Sequence, residues 1–349
     1  MTDPADGADR RTPVNVLTGF LGSGKTTVLR YLLTEPAFAD TAVLINEIGA
    51  VGLDHLLAGQ LTEAPVLLQN GCICCTIRGD LRDAVRDLHA RRARGDIPWF
   101  RRLIIETTGL ADPLPVLVTI ASDLVLRHHF RLGTVLATVD GVHAAAGFER
   151  NTELQAQIAT ADRIIVTKLD LAAPPMVAWL RGRIGCLNPT ALIAEASHGV
   201  IDADMLLGQD IGDPVTRMAE IAAWTGVAPP GFSRSAAHGS VSSDTIILDN
   251  PVDWSAFGLW LSLLVHRHGD RLLRFKAILD AAGSETPVAV HAVRQMVYPP
   301  EHLPAWPDNR RRSVLVFIAS GLSMDLVRRS LQTFLNLASN DDGAKKGSR

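Results

Sequence analysis

The chain has no surplus of basic residues: 34 Lys and Arg against 37 Asp and Glu leave a formal net charge of −3. A nucleic-acid-binding protein ordinarily shows a basic face, so no nucleic-acid partner is expected. Arg91, Arg92 and Arg94 form a local basic cluster and read as a solvated helix end. Long apolar runs are missing too, since residues 114–126 are broken by Asp123, and a membrane-spanning helix needs about 20 apolar residues. Residues 1–13 are polar and mixed in charge, without the pattern of an export signal. The expectation is a cytoplasmic protein with no membrane partner. Cysteine is scarce: there are four, three of them within Cys72–Cys75. A disulfide framework would spread its cysteines along a short secreted chain. Clustering in a cytosolic chain points to metal or redox chemistry.

What is present is enough for sizeable cores. Hydrophobic residues make up 47% of the 349 positions, and that length favours two domains. Val14–Leu17, Val43–Ile45, Val66–Leu68, Leu103–Ile105, Val135–Val139 and Ile164–Val166 read as buried strands, with Ala191–Ala194 a candidate last one. Continuous apolar runs suit parallel strands covered on both faces. Amphipathic stretches lie between them, such as Asp80–Ala93 with Leu81, Val85 and Leu88 on one face. The alternation predicts an α/β fold, a doubly wound and mostly parallel sheet. A Pro- and Gly-rich stretch, Ala228-Pro229-Pro230-Gly231, marks a linker. Beyond it, Val241–Leu248, Leu272–Leu279, Ala289–Val297 and Val314–Ile318 read as strands, with helices from Trp254 to about His266 and over Ser323–Leu337. Those elements predict a smaller α+β domain. The expected division is a flexible leader at 1–12, a nucleotide-binding domain at 13–215, a linker at 216–238, the α+β domain at 239–338 and a polar tail at 339–349. No internal repeat is visible.

Gly19-Phe-Leu-Gly22-Ser23-Gly24-Lys25-Thr26-Thr27 fits G-x-x-x-x-G-K-[ST], and it sits between a predicted strand and a predicted helix, the context of a P-loop. Backbone amides of such a loop and the helix N-terminus favour phosphate. Lys25 is expected to reach the β- and γ-phosphates, and the Thr26 hydroxyl to hold Mg²⁺. The run Leu103-Ile-Ile-Glu106-Thr-Thr-Gly109 brings a carboxylate to a strand's carboxyl end, where ligands bind in open α/β sheets. Glu106 is read as a water-mediated Mg²⁺ ligand, and Gly109 as a sensor of the γ-phosphate through its amide. Each motif also has a plain structural reading, an ordinary Gly-rich turn or a strand ending in an exposed Glu.

Thr167-Lys168-Leu169-Asp170 follows a predicted strand and resembles the Asn-Lys-x-Asp base-reading motif. A carboxylate at Asp170 can accept from both N1–H and N2–H₂ of guanine. Adenine offers no such donor pair and would leave the carboxylate unpaired. GTP is therefore expected ahead of ATP, with the Lys168 stem over the ring. Thr167 stands where Asn is usual. Asn188 is a weaker candidate near the base.

Gly71-Cys72-Ile73-Cys74-Cys75 is expected between strand Val66–Leu68 and helix Asp80–Ala93. Thiolates suit Zn²⁺, Cu(I) and iron–sulfur clusters. Three in four residues leave a fourth position to another ligand or to exchange. A dithiol switch and three small buried residues are the competing readings. Cys186, alone, reads as a buried small hydrophobe. His128-His129 and His266-x-His268 read as surface histidines.

Taken in order, the phosphate loop, Asn46-Glu47, Gly71-Cys-x-Cys-Cys75, Glu106-x-x-Gly109 and Lys168-x-Asp170 resemble the CobW-type metallochaperone GTPases, relatives of the urease and hydrogenase nickel chaperones. The resemblance runs over nearly the whole chain, including His198-Gly199, Arg274-Phe-Lys276 and Trp306-Pro307. It implies slow GTP hydrolysis and zinc or cobalt bound by Cys72, Cys74 and Cys75, with Glu47 an additional or switch-region contact. The partners expected are GTP/GDP and a metal-requiring client protein, and a homodimer stays open. Two features depart from the pattern. Ala50 stands where relatives often carry Glu, and the His-rich run of many relatives is missing.

Residues 46–54 and 71–79 are expected beside the phosphates, just after strands, so that nucleotide state orders the cysteine site or a client-docking surface. No catalytic Gln or Arg finger is readable, which implies low intrinsic turnover. Asp112 is the nearest candidate to position water. Other classes left open are a nucleotide-dependent metal sensor or store, cobalt delivery for cobalamin synthesis, and a P-loop kinase acting on a small molecule.

Overall fold

The structure is a computed structural model. It describes residues 11–46, 66–67, 73–77, 80–198, 200–202, 241–308 and 310–346, with 206, 218, 221 and 225 singly. The chain divides into two compact units, Met1–Gly182 with Ala191–Asp213 and Arg183–Thr190 with Pro214–Arg349.

The first unit is built on an eight-stranded sheet. Its strands are β1 (Thr12–Gly19), β2 (Thr41–Asn46), β3 (Val66–Leu67), β4 (Ile73–Ile77), β5 (Arg102–Thr107), β6 (Phe130–Asp140), β7 (Arg163–Thr167) and β8 (Leu192–Glu195). They lie in the order β3-β4-β2-β5-β1-β6-β7-β8. Every neighbouring pair from β4 to β8 is parallel, and β3 joins β4 antiparallel. Helices α1 (Lys25–Leu32), α2 (Leu81–Arg94), α3 (Leu114–Ser122), α4 (Leu126–His129), α5 (Ala144–Gly147), α6 (Thr152–Thr160) and α7 (Pro174–Leu187) connect them. β1, β2, β5 and β7 are buried along their whole length, apart from the half-buried Asn46. That burial explains their unbroken apolar runs. A core of Leu17, Val28, Leu29, Leu32, Phe38, Val43, Ile104, Leu136 and Ile165 joins the central strands to α1. The chain leaves β5 and returns as β6 on the far side of β1, so the carboxyl end of β1 is the switch point where such sheets bind ligands.

One expectation fails here. Residues 73–77, read as part of a ligand-edge loop, form β4 and pair with β2 in the register Val43↔Cys74 and Leu44↔Cys75. The run Ile-Cys-Cys-Thr-Ile is short but largely β-branched, a composition that suits a pleated surface. Another difference lies at Arg92, read as part of a solvated helix end. Its guanidinium donates to Thr12 Oγ1 (2.9 Å) and Phe100 O (3.0 Å) and lies 4.4 Å from the centre of the Phe100 ring. Arg91 and Arg94 do stay with surface partners, Asp87 and Asp96.

The second unit carries a six-stranded antiparallel sheet. Its strands are β9 (Val241–Leu248), β10 (Leu272–Leu279), β11 (Val288–Val293), β12 (Met296–Val297), β13 (Glu301–His302) and β14 (Ser313–Ser320). The order is β12-β11-β10-β14-β9, with β13 also on β11. Phe257, Trp260, Leu261 and Leu264 of helix Trp254–His268, with Val327 and Leu331 of the last helix, close one face over Phe275, Ala277, Leu315 and Phe317. The Asp253 carboxylate caps helix Trp254–His268 by accepting from Ala256 N (2.7 Å). Trp254, at the start of that helix, stays 40% exposed and stacks on Phe257 with ring centroids 6.4 Å apart. The single strand expected over Ala289–Val297 is a hairpin, turning at Arg294 with φ 49°. Neither Gly nor Asn marks that turn. The last helix runs Met324–Lys346, past its expected end at Leu337 and through most of the expected tail. No large apolar residue beyond Leu337 marks a helical face in the sequence.

Candidate nucleotide and metal site

The phosphate loop turns on three glycines with positive φ: Gly19 (144°), Gly22 (70°) and Gly24 (90°). A Cβ on Gly19 would sit 2.2 Å from Thr138 Oγ1 and 2.5 Å from Thr138 O, so no side chain fits there. Helix α1 starts at Lys25 without a side-chain cap and with no acidic residue in its first turn. Its leading amides and the positive end of its dipole are thus not neutralised by a capping side chain, the condition that favours an anion. Lys25 Nζ folds back over the loop onto Gly19 O (2.9 Å) and Phe20 O (3.2 Å).

The structure brings Thr26 and Glu106 together although 80 residues separate them. The Thr26 hydroxyl donates to Glu106 Oε1 at 2.9 Å. Leu17 is in register with Glu106 across β1 and β5, which puts the carboxylate one step from the end of the sheet. Gly109 packs directly on the phosphate loop, and a Cβ there would stand 2.7 Å from Leu21 N. Asp112, considered for water positioning, accepts from Leu114 N (2.9 Å) just before α3.

Thr167, which stands where Asn is usual, ends β7. Its hydroxyl donates to Ser23 O at 2.7 Å, binding β7 to the phosphate loop. Lys168 has φ 58°, and its ammonium donates to Asp140 Oδ2 at 2.6 Å. Asp140, which the sequence reading passed over, ends β6 in register with Thr167. Burial works against its ionisation, but Lys168 and the amides of His143 and Val142 outweigh burial and hold its pKa down at about 2. The available signal was an acidic residue closing a strand beside the one that carries Thr167.

Asp170 accepts from His198 N (3.3 Å) and Ser197 Oγ (3.4 Å). Burial opposes its charge, yet its own amide, then that of His198, the nearby His198 ring and Ser197 hold its pKa below the ordinary value. Ser197 is a second residue missed by sequence reasoning. Asn188 is buried, and its Oδ1 accepts from Thr190 N and Oγ1.

Glu47, Ala50 and Cys72 lie outside the described residues, as do the side chains of Cys74 and Cys75. The backbone register of Cys74 and Cys75 is described. Thr76 shares a row with Ile45 and Glu106, so Cys75 is one residue short of the Glu106 row. β4 is two strands from β5, about 10 Å at the usual spacing between strands. Cys186 is free and half-buried rather than buried. His129 stacks on His89 with ring centroids 4.0 Å apart. Among the described residues, no group of three or more His, Cys, Asp or Glu could hold a metal ion. Among them, too, no helix is long and apolar enough to cross a membrane.

A glycine loop between β1 and α1, faced by an acidic residue from β5, defines the first unit as a P-loop nucleotide-binding fold. The chain belongs to the CobW/HypB/UreG family: residues 13–195 match that family's nucleotide-binding domain, and residues 241–335 match the cobalamin synthesis protein cobW C-terminal domain. It is 36% identical to the zinc chaperone YjiA of Escherichia coli over 316 residues, covering 90% of this chain and 96% of that one. The zinc-regulated GTPase metalloprotein activator 1 of Schizosaccharomyces pombe is 32% identical over 197 residues, 54% of this chain and 47% of the relative. The crystal structure of Zn(II)-bound YjiA GTPase from E. coli superposes with a TM-score of 0.72 at 32% identity, covering 93% of this chain and 99% of that one.

Proposed function

We propose that this protein is a GTP-hydrolysing metallochaperone that carries zinc on Cys72, Cys74 and Cys75 and passes it to a metal-requiring client. The observation that carries the GTPase part is the Thr26–Glu106 contact at 2.9 Å, made beside a glycine loop. A hydroxyl and a carboxylate are hard oxygen donors that suit Mg²⁺. Thr26 would hold the ion directly and Glu106 through water. Bound there, Mg²⁺ supplies charge neutralisation on the β- and γ-phosphates.

The other roles fall to the chain's own groups. Loop amides and Lys25 hold the phosphates, and Gly109 donates its amide to the γ-phosphate. Asp170, held by Ser197 and His198, accepts the guanine N1–H and N2–H₂. Lys168, braced by Asp140, covers the ring with its stem. Three thiolates leave one position on zinc through which a client ligand can exchange. Support for zinc as cargo comes from relatives named zinc chaperone and zinc-regulated GTPase. β2 stands between β4 and β5. It ends at Asn46, and Glu47 follows, so the nucleotide pocket and the cysteine strand share a neighbour. GTP would order this edge, and hydrolysis would release the metal.

The first test is steady-state GTP hydrolysis by the wild type and Lys25→Ala, with ATP in parallel. Slow hydrolysis of GTP over ATP, lost by at least about tenfold in the variant, is expected from removal of a charge-assisted phosphate contact. Undiminished turnover in Lys25→Ala would show that the phosphate loop is misassigned.

A further inference from the structure

Gln157 lies on α6, away from the phosphate loop and the base-reading strand in sequence, and it is 1% exposed. Its Nε2 donates to Gly109 O and to Ala111 O, both at 3.1 Å. Two carbonyl acceptors settle which end of the amide carries the nitrogen. Oε1 is buried without a hydrogen-bond partner among the described residues. A half-satisfied buried amide costs free energy that a leucine there would not. Leu154, Ile158 and Ala159, on the same helix, are buried and apolar. An amide at this position therefore gains its value from what it holds.

What it holds is the turn after Glu106. Ala111 N donates back to Thr108 O at 3.1 Å, closing the turn over Gly109 and Leu110. Gly109 rests on the backbone of Leu21 in the phosphate loop. The turn is thus fixed at two carbonyls by α6 and at one α-carbon by the loop that takes the phosphates. Preorganised backbone donors spend little free energy on reorientation when charge arrives.

We propose that Gln157 is a positioning residue that presets the Gly109 turn for the γ-phosphate and thereby sets the preference for GTP over GDP. The inference rests on the reading of Gly109 as the γ-phosphate sensor. GDP has no group that reaches Gly109, so loss of the clamp weakens GTP binding selectively. Without Gln157 the γ-phosphate itself must order the turn, and that ordering is subtracted from affinity.

The test uses the full chain and displacement of a fluorescent nucleotide by Mg²⁺–GDP and by a Mg²⁺-bound non-hydrolysable GTP analogue. Wild type, Gln157→Leu, Gln157→Met and Gly109→Ala are compared. Both Gln157 variants are expected to lose about tenfold in analogue affinity, the scale of one to two neutral hydrogen bonds, with GDP affinity unchanged. Equal losses for both nucleotides, or none for either, would overturn the proposal. If Gly109→Ala abolishes the preference and the Gln157 variants do not, the sensor reading stands and the role of Gln157 is refuted. If Gly109→Ala also leaves the preference intact, the sensor reading has failed and the proposal with it. Hydrogen exchange on the unliganded wild type needs no variant to fold: protection of the Ala111 amide is expected, and exchange as fast as an open loop would contradict a preset turn.

Discussion

The carboxyl edge of the first sheet and the aromatic cluster of the second bury different things. At the carboxyl ends of β1, β5, β6 and β7, the buried side chains include Thr18, Glu106, Thr107, Thr138, Asp140 and Thr167, with Ser23 in the adjoining loop. They hydrogen-bond across strands, as Thr107 to Thr18 (2.9 Å) and Ser23 with Thr138 (2.6 Å) show. Under the helices of the second unit, the sheet buries Phe275 against Phe317, 4.9 Å between centroids, with Trp260 edge-on at 6.4 Å. Buried polar groups add little net stability and are costly when mispaired. A cluster of them at a switch point therefore marks where chemistry is done. The aromatic cluster marks where stability is made.

Substitutions can break this contrast. Phe317→Ala should cost the most, about 3–5 kcal/mol, because it empties a fully buried aromatic site. Denaturant melts should register that loss, while GDP affinity measured under folding conditions stays unchanged. Thr167→Val keeps shape but removes the hydroxyl that reaches Ser23 O. About 1 kcal/mol is expected, appearing as a severalfold loss of affinity for GTP and GDP alike in a displacement titration. Thr167→Asn, with its own donor, should restore most of it. A Thr167→Val variant that melts early yet binds nucleotide normally would erase the distinction between the two regions.

Much of this was legible in the sequence because single local rules governed it. Period and flanking glycines located β1, the phosphate loop and α1, and the helix from Trp254 was read close to its observed start. Glu106 could be named because an apolar strand delivers it. What stayed hidden depends on partners far along the chain. Gln157 meets Gly109 across 48 residues and Thr167 meets Ser23 across 144, distances that no window spans. Asp140 was missed since a carboxylate after a strand is common, and only its 2.6 Å bond to Lys168 singles it out. Arg92 was misread because a basic run on a helix usually faces water. The strand at Ile73–Ile77 was obscured by its own cysteines, which drew the reading toward a ligand loop.

The central claim, that nucleotide state and metal site are coupled, is tested most directly by zinc affinity. Competition with a chromophoric chelator should be run with a Mg²⁺–GTP analogue, with Mg²⁺–GDP and with neither, with cobalt in parallel. A triple Cys72→Ser, Cys74→Ser and Cys75→Ser variant serves as control. The account expects zinc affinity to shift with nucleotide by about tenfold or more, on the scale of ordinary allosteric coupling, and the shift to vanish in the triple variant. Tight nucleotide binding with the same zinc affinity in all three states would contradict it.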